Sequence, residues 1–266
     1  MFLKPTGFFD PLYAYDVPDA AFPKLVRRLV RPGDWALDVG GEKGWNALHL
    51  WRAVGREGRV ITVEADPRAA NALQANLDRN GASNVTLIRK AASDRPGTAT
   101  MQLNETFGWS SLTPSEQQSR SVVRSVEVPT ETLDAILASQ SPGQARVTFM
   151  KLDIEGSECR AIRGAQCILS QHRPVLYLEV NPPSLAAAGA SPAELGALLA
   201  PYGYRFWSTH GEYLGFSRWR AWFTPVPSLA DVREQEDVIG VPPELLATWA
   251  PMLDAASSAE RPMREK

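Results

Sequence analysis

The chain has 266 residues, of which 44% are hydrophobic and 22% charged, and its 28 Lys+Arg against 30 Asp+Glu leave a formal net charge of -2. That suits one globular domain with a sizeable core and a modest appendage, and excludes a collagen, a coiled-coil rod, a wholly disordered chain and a disulfide mini-protein. No global basic field points to nucleic acid or an anionic membrane. The longest apolar stretches are strand-sized, short of the roughly 20 residues of a membrane helix. The opening MFLKPTGFFDPLY lacks the apolar core of a secretory leader, so the expected address is cytoplasmic. Two cysteines, Cys159 and Cys167, make neither a disulfide framework nor a zinc spacing.

In chain order, residues 1–30 are read as an N-terminal arm or cap, aromatic and Pro-containing at its start. From there short β-rich runs alternate with helical stretches, the pattern of a parallel sheet with helices on both faces. Strands are expected at 35–39, 59–64, 85–89, 148–152 and 175–180. Asp66 caps a helix that has Pro67 at its first position and Asn80-Gly81 as its stop. Ser191-Pro192-Ala193-Glu194 is a capping box opening another. Segments 203–207 and 219–223 read as an antiparallel hairpin closing one sheet edge. The Ser/Thr/Gln-rich stretch 105–124 is too long for a simple connection and reads as a mobile lid or binding loop. A Pro-rich extension, partly disordered, is expected over 225–266, leaving 31–224 as the domain proper.

Three junctions carry chemistry. After the first strand comes Asp38-Val39-Gly40-Gly41-Glu42-Lys43-Gly44. Glycines there let the chain turn sharply and let backbone N–H groups approach a ligand at a helix N-terminus. The spacing is not that of a dinucleotide or phosphate loop. About twenty residues on, the second strand ends in Val63-Glu64-Ala65-Asp66, and a carboxylate there can accept both ribose hydroxyl protons of an adenosine. Turn plus acid fits NAD or S-adenosylmethionine, and Asp38 and Glu42 favour the cationic amino-acid end of the second. The third junction, Lys151-Leu-Asp153-Ile-Glu155-Gly-Ser-Glu158, sets carboxylates at the end of another strand. Glu158 alone reads equally well as a first-turn acid answering the helix dipole.

These residues resemble the FkbM-type family of S-adenosylmethionine-dependent O-methyltransferases over about 35–207. The likeness rests on Leu37-Asp38-Val39-Gly40 with Gly44, Val63-Glu64-Ala65-Asp66-Pro67, Ala91-Ala92-Ser93-Asp94, Ser110-Ser111-Leu112, the segment 126–134, the string 151–158 and Glu179. The first loop of such proteins commonly reads Gly-Ala-Asn-x-Gly, whereas this one has Gly41-Glu42-Lys43.

The resemblance implies an α/β, Rossmann-like seven-stranded methyltransferase sheet, mostly parallel with an antiparallel C-terminal hairpin and helices on both faces. It implies S-adenosylmethionine held by Asp38, Gly40, Gly41, Gly44, Glu64, Ala65, Ala92, Ser93 and Asp153. The acceptor side would be formed by Trp109, Ser110, Ser111, Glu179 and Asn181. The expected partner is a small molecule bearing a hydroxyl, a sugar or natural product. Neither nucleic acid nor membrane is expected, and at most a second copy of the chain in a homodimer. An alcohol is a poor nucleophile, so a base is needed. Asp153 and Glu155 are the expected catalytic carboxylates. Asp153, Glu179 and Asn181 could offer oxygen ligands to Mg²⁺, but a metal-free site is expected. The competing readings are a macromolecular acceptor, a decayed site that only binds the cofactor, and an NAD enzyme.

Overall fold

The computed structural model describes residues 21–106, 108–140, 146–213 and 219–258. The first helix, Ala21–Leu29, buries Phe22, Leu25 and Val26. Its Phe22 ring meets Trp45, Phe149 and Tyr177 at centroid distances of 5.9, 6.1 and 5.1 Å. Fully burying such a ring is worth about 1.5–3 kcal/mol. The last residues assigned to the arm therefore belong to the core, while 1–20 lie outside the described residues.

Strands β1 (Trp35–Val39), β2 (Arg59–Val63) and β3 (Val85–Ile88) follow, with helices Trp45–Val54 and Pro67–Asn80 between them. Asp66 accepts the Arg68 N–H, Pro67 opens the second helix, and Gly81 ends it at φ 64. Next come β4 (Ala91–Ala92), β5 (Gly97–Asn104), β6 (Val122–Glu131), β7 (Val147–Leu152), β8 (Val175–Val180), β9 (Arg205–Tyr213), β10 (Trp219–Val226) and β11 (Glu236–Val241).

The central sheet has the order β10-β9-β11-β8-β7-β1-β2-β3. Its β3-β2-β1-β7-β8 half is all parallel. Strand β11 lies antiparallel to both β8 and β9, and β10 antiparallel to β9. This is the expected α/β class, mostly parallel with an antiparallel part, built with eight strands rather than seven. The hairpin β9–β10 closes one edge as expected, its tip (214–218) lying outside the described residues.

Two segments differ from the sequence reading. The region 225–266 is not an appended extension. Its β11 is wedged inside the sheet, with Val238, Ile239 and Val241 fully buried. Helix Leu246–Ser258 buries Leu253, and Asp254 accepts the Trp207 indole N–H at 2.8 Å. The Pro-rich run 225–227 hid this, because prolines mark where a strand ends and say nothing of the next. Residues 259–266 lie outside the described residues.

The 105–124 stretch is also more ordered than a bare loop. Strands β5 and β6 pair antiparallel, and with β4 they form a separate three-stranded sheet. The connection between them holds a short helix, Glu116–Ser119, opened by a capping box between Ser115 and Gln118. Among the described residues, no helix is long and apolar enough to cross a membrane.

Candidate active site

Strand β1 delivers the chain into the glycine turn at the carboxyl edge of the parallel strands, where open α/β sheets bind ligands. Gly40 sits at φ 87, and a Cβ there would lie 1.8 Å from the Asp153 carbonyl oxygen. Only glycine lets this turn press against the chain leaving β7. Glu42 takes φ 46, a left-handed conformation that asparagine tolerates better than most residues. The unusual Gly41-Glu42-Lys43 sequence thus still makes a left-handed turn.

The turn is clasped by Glu64. Its carboxylate accepts the Glu42 N–H at 2.8 Å and the Asp66 N–H at 2.7 Å. Burial pushes its pKa up to about 8, with those two N–H groups pulling the other way.

Beneath the turn, the strand registers align Thr62, Asp38 and Lys151 across β2, β1 and β7. Thr62 donates its hydroxyl to Asp38 at 3.0 Å. The buried Lys151 ammonium donates to the Gly40 carbonyl at 2.9 Å and lies 3.1 Å from Asp153 and 3.9 Å from Asp38. Burial alone would lower its pKa, but Asp153 and Asp38 raise it above the ordinary value. Burial also raises the Asp38 pKa.

Past β7 the carboxylates gather. Glu155, at φ 53, accepts the Gln118 amide at 2.6 Å and the Ser184 hydroxyl at 3.5 Å. Burial first, then Asp153 and Glu158, push its pKa up to about 8. Glu158 accepts the Ile154 and Gly156 N–H groups at 3.0 and 3.3 Å, and burial pushes it up to about 7. From β8, buried Glu179 accepts a hydrogen bond from the Gln235 amide. Its pKa is raised well above the ordinary value, by burial first and then by Asp153 and Glu155.

A roof covers this edge. Asp66 and Arg68 form a 2.7 Å ion pair; Arg68 also donates to the Asn104 carbonyl at 2.8 Å, and Ser110 donates to Asp66 at 2.8 Å. Ser111 donates to the Glu155 carbonyl at 2.8 Å. The resulting cavity has a volume of about 270 Å³.

Gly40, Gly41, Glu64, Ala65, Ala92, Asp153, Glu155, Trp109, Ser110, Ser111 and Glu179 all line it, as the sequence predicts. Phe107, two residues before Trp109, lies outside the described residues. Four expected site residues fall outside the wall. Asp38 is fully buried and turned sideways into the Thr62–Lys151 row, so it does not meet a ligand's ammonium group there. Gly44 caps helix Trp45–Val54 at φ 90 and faces Leu73. The Ser93 N–H donates to the Glu131 carbonyl at 2.9 Å. Asn181 caps helix Pro182–Ala187 by accepting the Ser184 N–H at 3.2 Å.

The sequence reading missed Lys151, Lys90, Met101 and Gln235, which also line the cavity. Trp45 also lines it while remaining 6% exposed. None of the three histidines does. His49 meets the Trp45 ring, His172 accepts the Val147 N–H, and His210 stacks on Trp222.

Comparison with known proteins finds a family model that matches most of the chain. Residues 38–206 match the family model described as the methyltransferase FkbM domain. A curated tRNA/tmRNA (uracil-C(5))-methyltransferase of Azotobacter vinelandii is 32% identical over 105 residues, 35% of this chain and 27% of that protein. A protein-L-isoaspartate O-methyltransferase of Methanococcoides burtonii is 34% identical over 64 residues, 24% of this chain and 32% of that protein. The chain thus spans about a third or less of these curated relatives. Among solved structures, a methyltransferase FkbM from Methylobacillus flagellatus KT aligns at 18% identity and TM-score 0.47, covering 87% of this chain and 57% of that one.

Proposed function

This chain belongs to the FkbM methyltransferase family, and on that premise we propose that it transfers a methyl group from S-adenosylmethionine to a hydroxyl oxygen of a small molecule. The observation that carries the reading is the single roofed cavity. It joins the glycine turn and Glu64 at one side to Asp153, Glu155 and Glu179 at the other. The family is S-adenosylmethionine-dependent, and the cavity suits that cofactor: a glycine turn whose backbone lies open, and a buried acid placed for ribose hydroxyls.

When bound, the cofactor supplies an electrophilic methyl group on a sulfonium. Glu64 accepts the ribose hydroxyl protons, and Ala65, Ala91, Ala92 and Met101 offer the apolar wall for an adenine. Gly40, Gly41 and Glu42 flank the amino-acid end. Trp109 and the pinned roof exclude water, which strengthens every electrostatic contact inside. Asp153 or Glu155 takes the acceptor's proton, a role worth a factor of about 10²–10⁴. A small acceptor suits an acid-lined cavity in a chain of net charge -2, where phosphate groups meet no basic field. The protein works in the cytoplasm on this reading.

The test is transfer of label from methyl-labelled S-adenosylmethionine to a panel of sugars and hydroxylated natural products, with bulk tRNA alongside. Label on a small-molecule hydroxyl is the expected result. Label on tRNA alone would overturn the acceptor class, and no cofactor binding by calorimetry would overturn the whole reading.

A further inference from the structure

We propose that Asp153, Glu155 and Glu179 bind one divalent cation of the oxygen-preferring class, Mg²⁺ or Mn²⁺, at the acceptor end of the cavity. This departs from the metal-free site expected from the sequence.

The three residues come from different parts of the edge. Asp153 follows β7, Glu155 sits in the left-handed turn after it, and Glu179 belongs to β8. Each offers a carboxylate oxygen, and these atoms all lie within 4.8 Å of one another. Oxygens about 2.0–2.1 Å from an octahedral Mg²⁺ stand roughly 3 to 4 Å apart, so one small ion can touch all three after slight closure. The donor set is oxygen only, with no imidazole or thiolate, which selects hard cations over zinc or copper.

A second observation is independent of the clustering. Glu179 is 6% exposed, and while one oxygen accepts the Gln235 amide, its Oε2 has no hydrogen-bond partner. A buried carboxylate oxygen with no donor is costly to keep. Glu179 lines the cavity, and one of its carboxylate oxygens lies within 4.8 Å of those of Asp153 and Glu155.

Of the three residues, Lys151 pairs only with Asp153. Its ammonium is shared between the Gly40 carbonyl, Asp153 and Asp38. Among the described residues, neither Glu155 nor Glu179 has an ion-pair partner. Glu155 is served by the neutral donors Gln118 and Ser184. One ammonium among several carboxyl groups leaves room for a divalent ion, whose charge would favour their ionised form.

An ion here would hold the acceptor's hydroxyl oxygen and lower its pKa so that its proton can pass to water, replacing Asp153 or Glu155 in the role of base. That role rests on the methyl-transfer reading. The binding site itself does not.

The experiment is a titration of the full chain with Mn²⁺, read by loss of the free-ion electron paramagnetic resonance signal and reversed by Mg²⁺. One equivalent should bind, and Glu179→Gln should weaken it by at least ~tenfold, as loss of a charged ligand on the order of 1.4 kcal/mol would. Binding of S-adenosylmethionine, read by calorimetry on the same samples, should change little. If Glu179→Gln fails to fold, Asp153→Asn, whose side chain is 38% exposed, replaces it with the same expected loss of Mn²⁺ affinity. No Mn²⁺ binding, or binding indifferent to these substitutions, would overturn the proposal. Mn²⁺ binding without cofactor binding would leave the site standing and sink the methyltransferase reading instead.

Discussion

Glu64 offers the sharpest test of where the cofactor sits, because its role and its ionisation pull against each other. To accept both ribose hydroxyl protons it must be a carboxylate, yet burial pushes its pKa up to about 8. Each pH unit below that value costs binding about 1.4 kcal/mol, a factor of ten. Affinity for S-adenosylmethionine should therefore weaken by up to ~100-fold between about pH 8 and about pH 6 and level off above pH 8. Isothermal titration across that range at fixed ionic strength, on wild type and Glu64→Gln, reads the effect directly. The variant should bind more weakly and show a flatter profile, so any slope common to both belongs to the ligand. A flat wild-type profile, or the same slope in both proteins, would refute the assignment. The unliganded chain carries the mirror image. A pKa raised from the ordinary 4.5 means the folded chain keeps a proton that the unfolded chain has lost. The stability this supplies is fully present below about pH 4.5 and drains away as pH rises through about 8. Wild type should lose stability across that window more steeply than Glu64→Gln.

Two further outcomes follow from packing. Lys151→Met leaves Asp38 and Asp153 without their shared cation and frees the Gly40 carbonyl, so urea unfolding should show a loss of about 3–5 kcal/mol. A loss under about 1 kcal/mol would show that the pair is not coupled, and adding Asp38→Asn should recover part of a larger one. Truncation after Thr224 removes β11 from between β8 and β9 and should abolish cooperative thermal unfolding. A soluble 1–224 fragment that melts cooperatively would refute the placement of that strand in the core.

Much of the fold was legible because its signals are local. A buried parallel strand is a short apolar run, and Asp66-Pro67 and Gly81 punctuate a helix within its own turn. What was missed depends on distant partners. The run Val238-Ile239-Gly240-Val241 is too short to announce itself, and its burial comes from two strands, β8 and β9, that lie far earlier in the chain. The pairing of β5 with β6 reads as a polar loop because most β6 side chains are exposed or half-buried. Its four valines are mostly exposed or half-buried, and Pro129 interrupts the run, so the apolar alternation that marks a strand is weak.

The site shows the same division, with one instructive exception. Gly40, Glu64 and Asp153 were found by their place at strand ends, a rule about topology that needs no coordinates. Asp38 obeyed that rule and still lies outside the cavity, because the neighbouring strands decide where its side chain goes. Strands β1 and β7 are buried along nearly their whole length, so a charge inside either must find its opposite inside the other. Trp35-Ala-Leu-Asp38-Val carries one acid and Val147-Thr-Phe-Met-Lys151-Leu one base, and the register sets these two residues opposite each other. Two adjacent strands with one buried charge of each sign pair those charges first. Asp153, two residues past Lys151 and beyond the end of β7, lines the cavity while still steadying the lysine at 3.1 Å. The charge in the strand thus positions the turn, and the charge after the strand meets the chemistry.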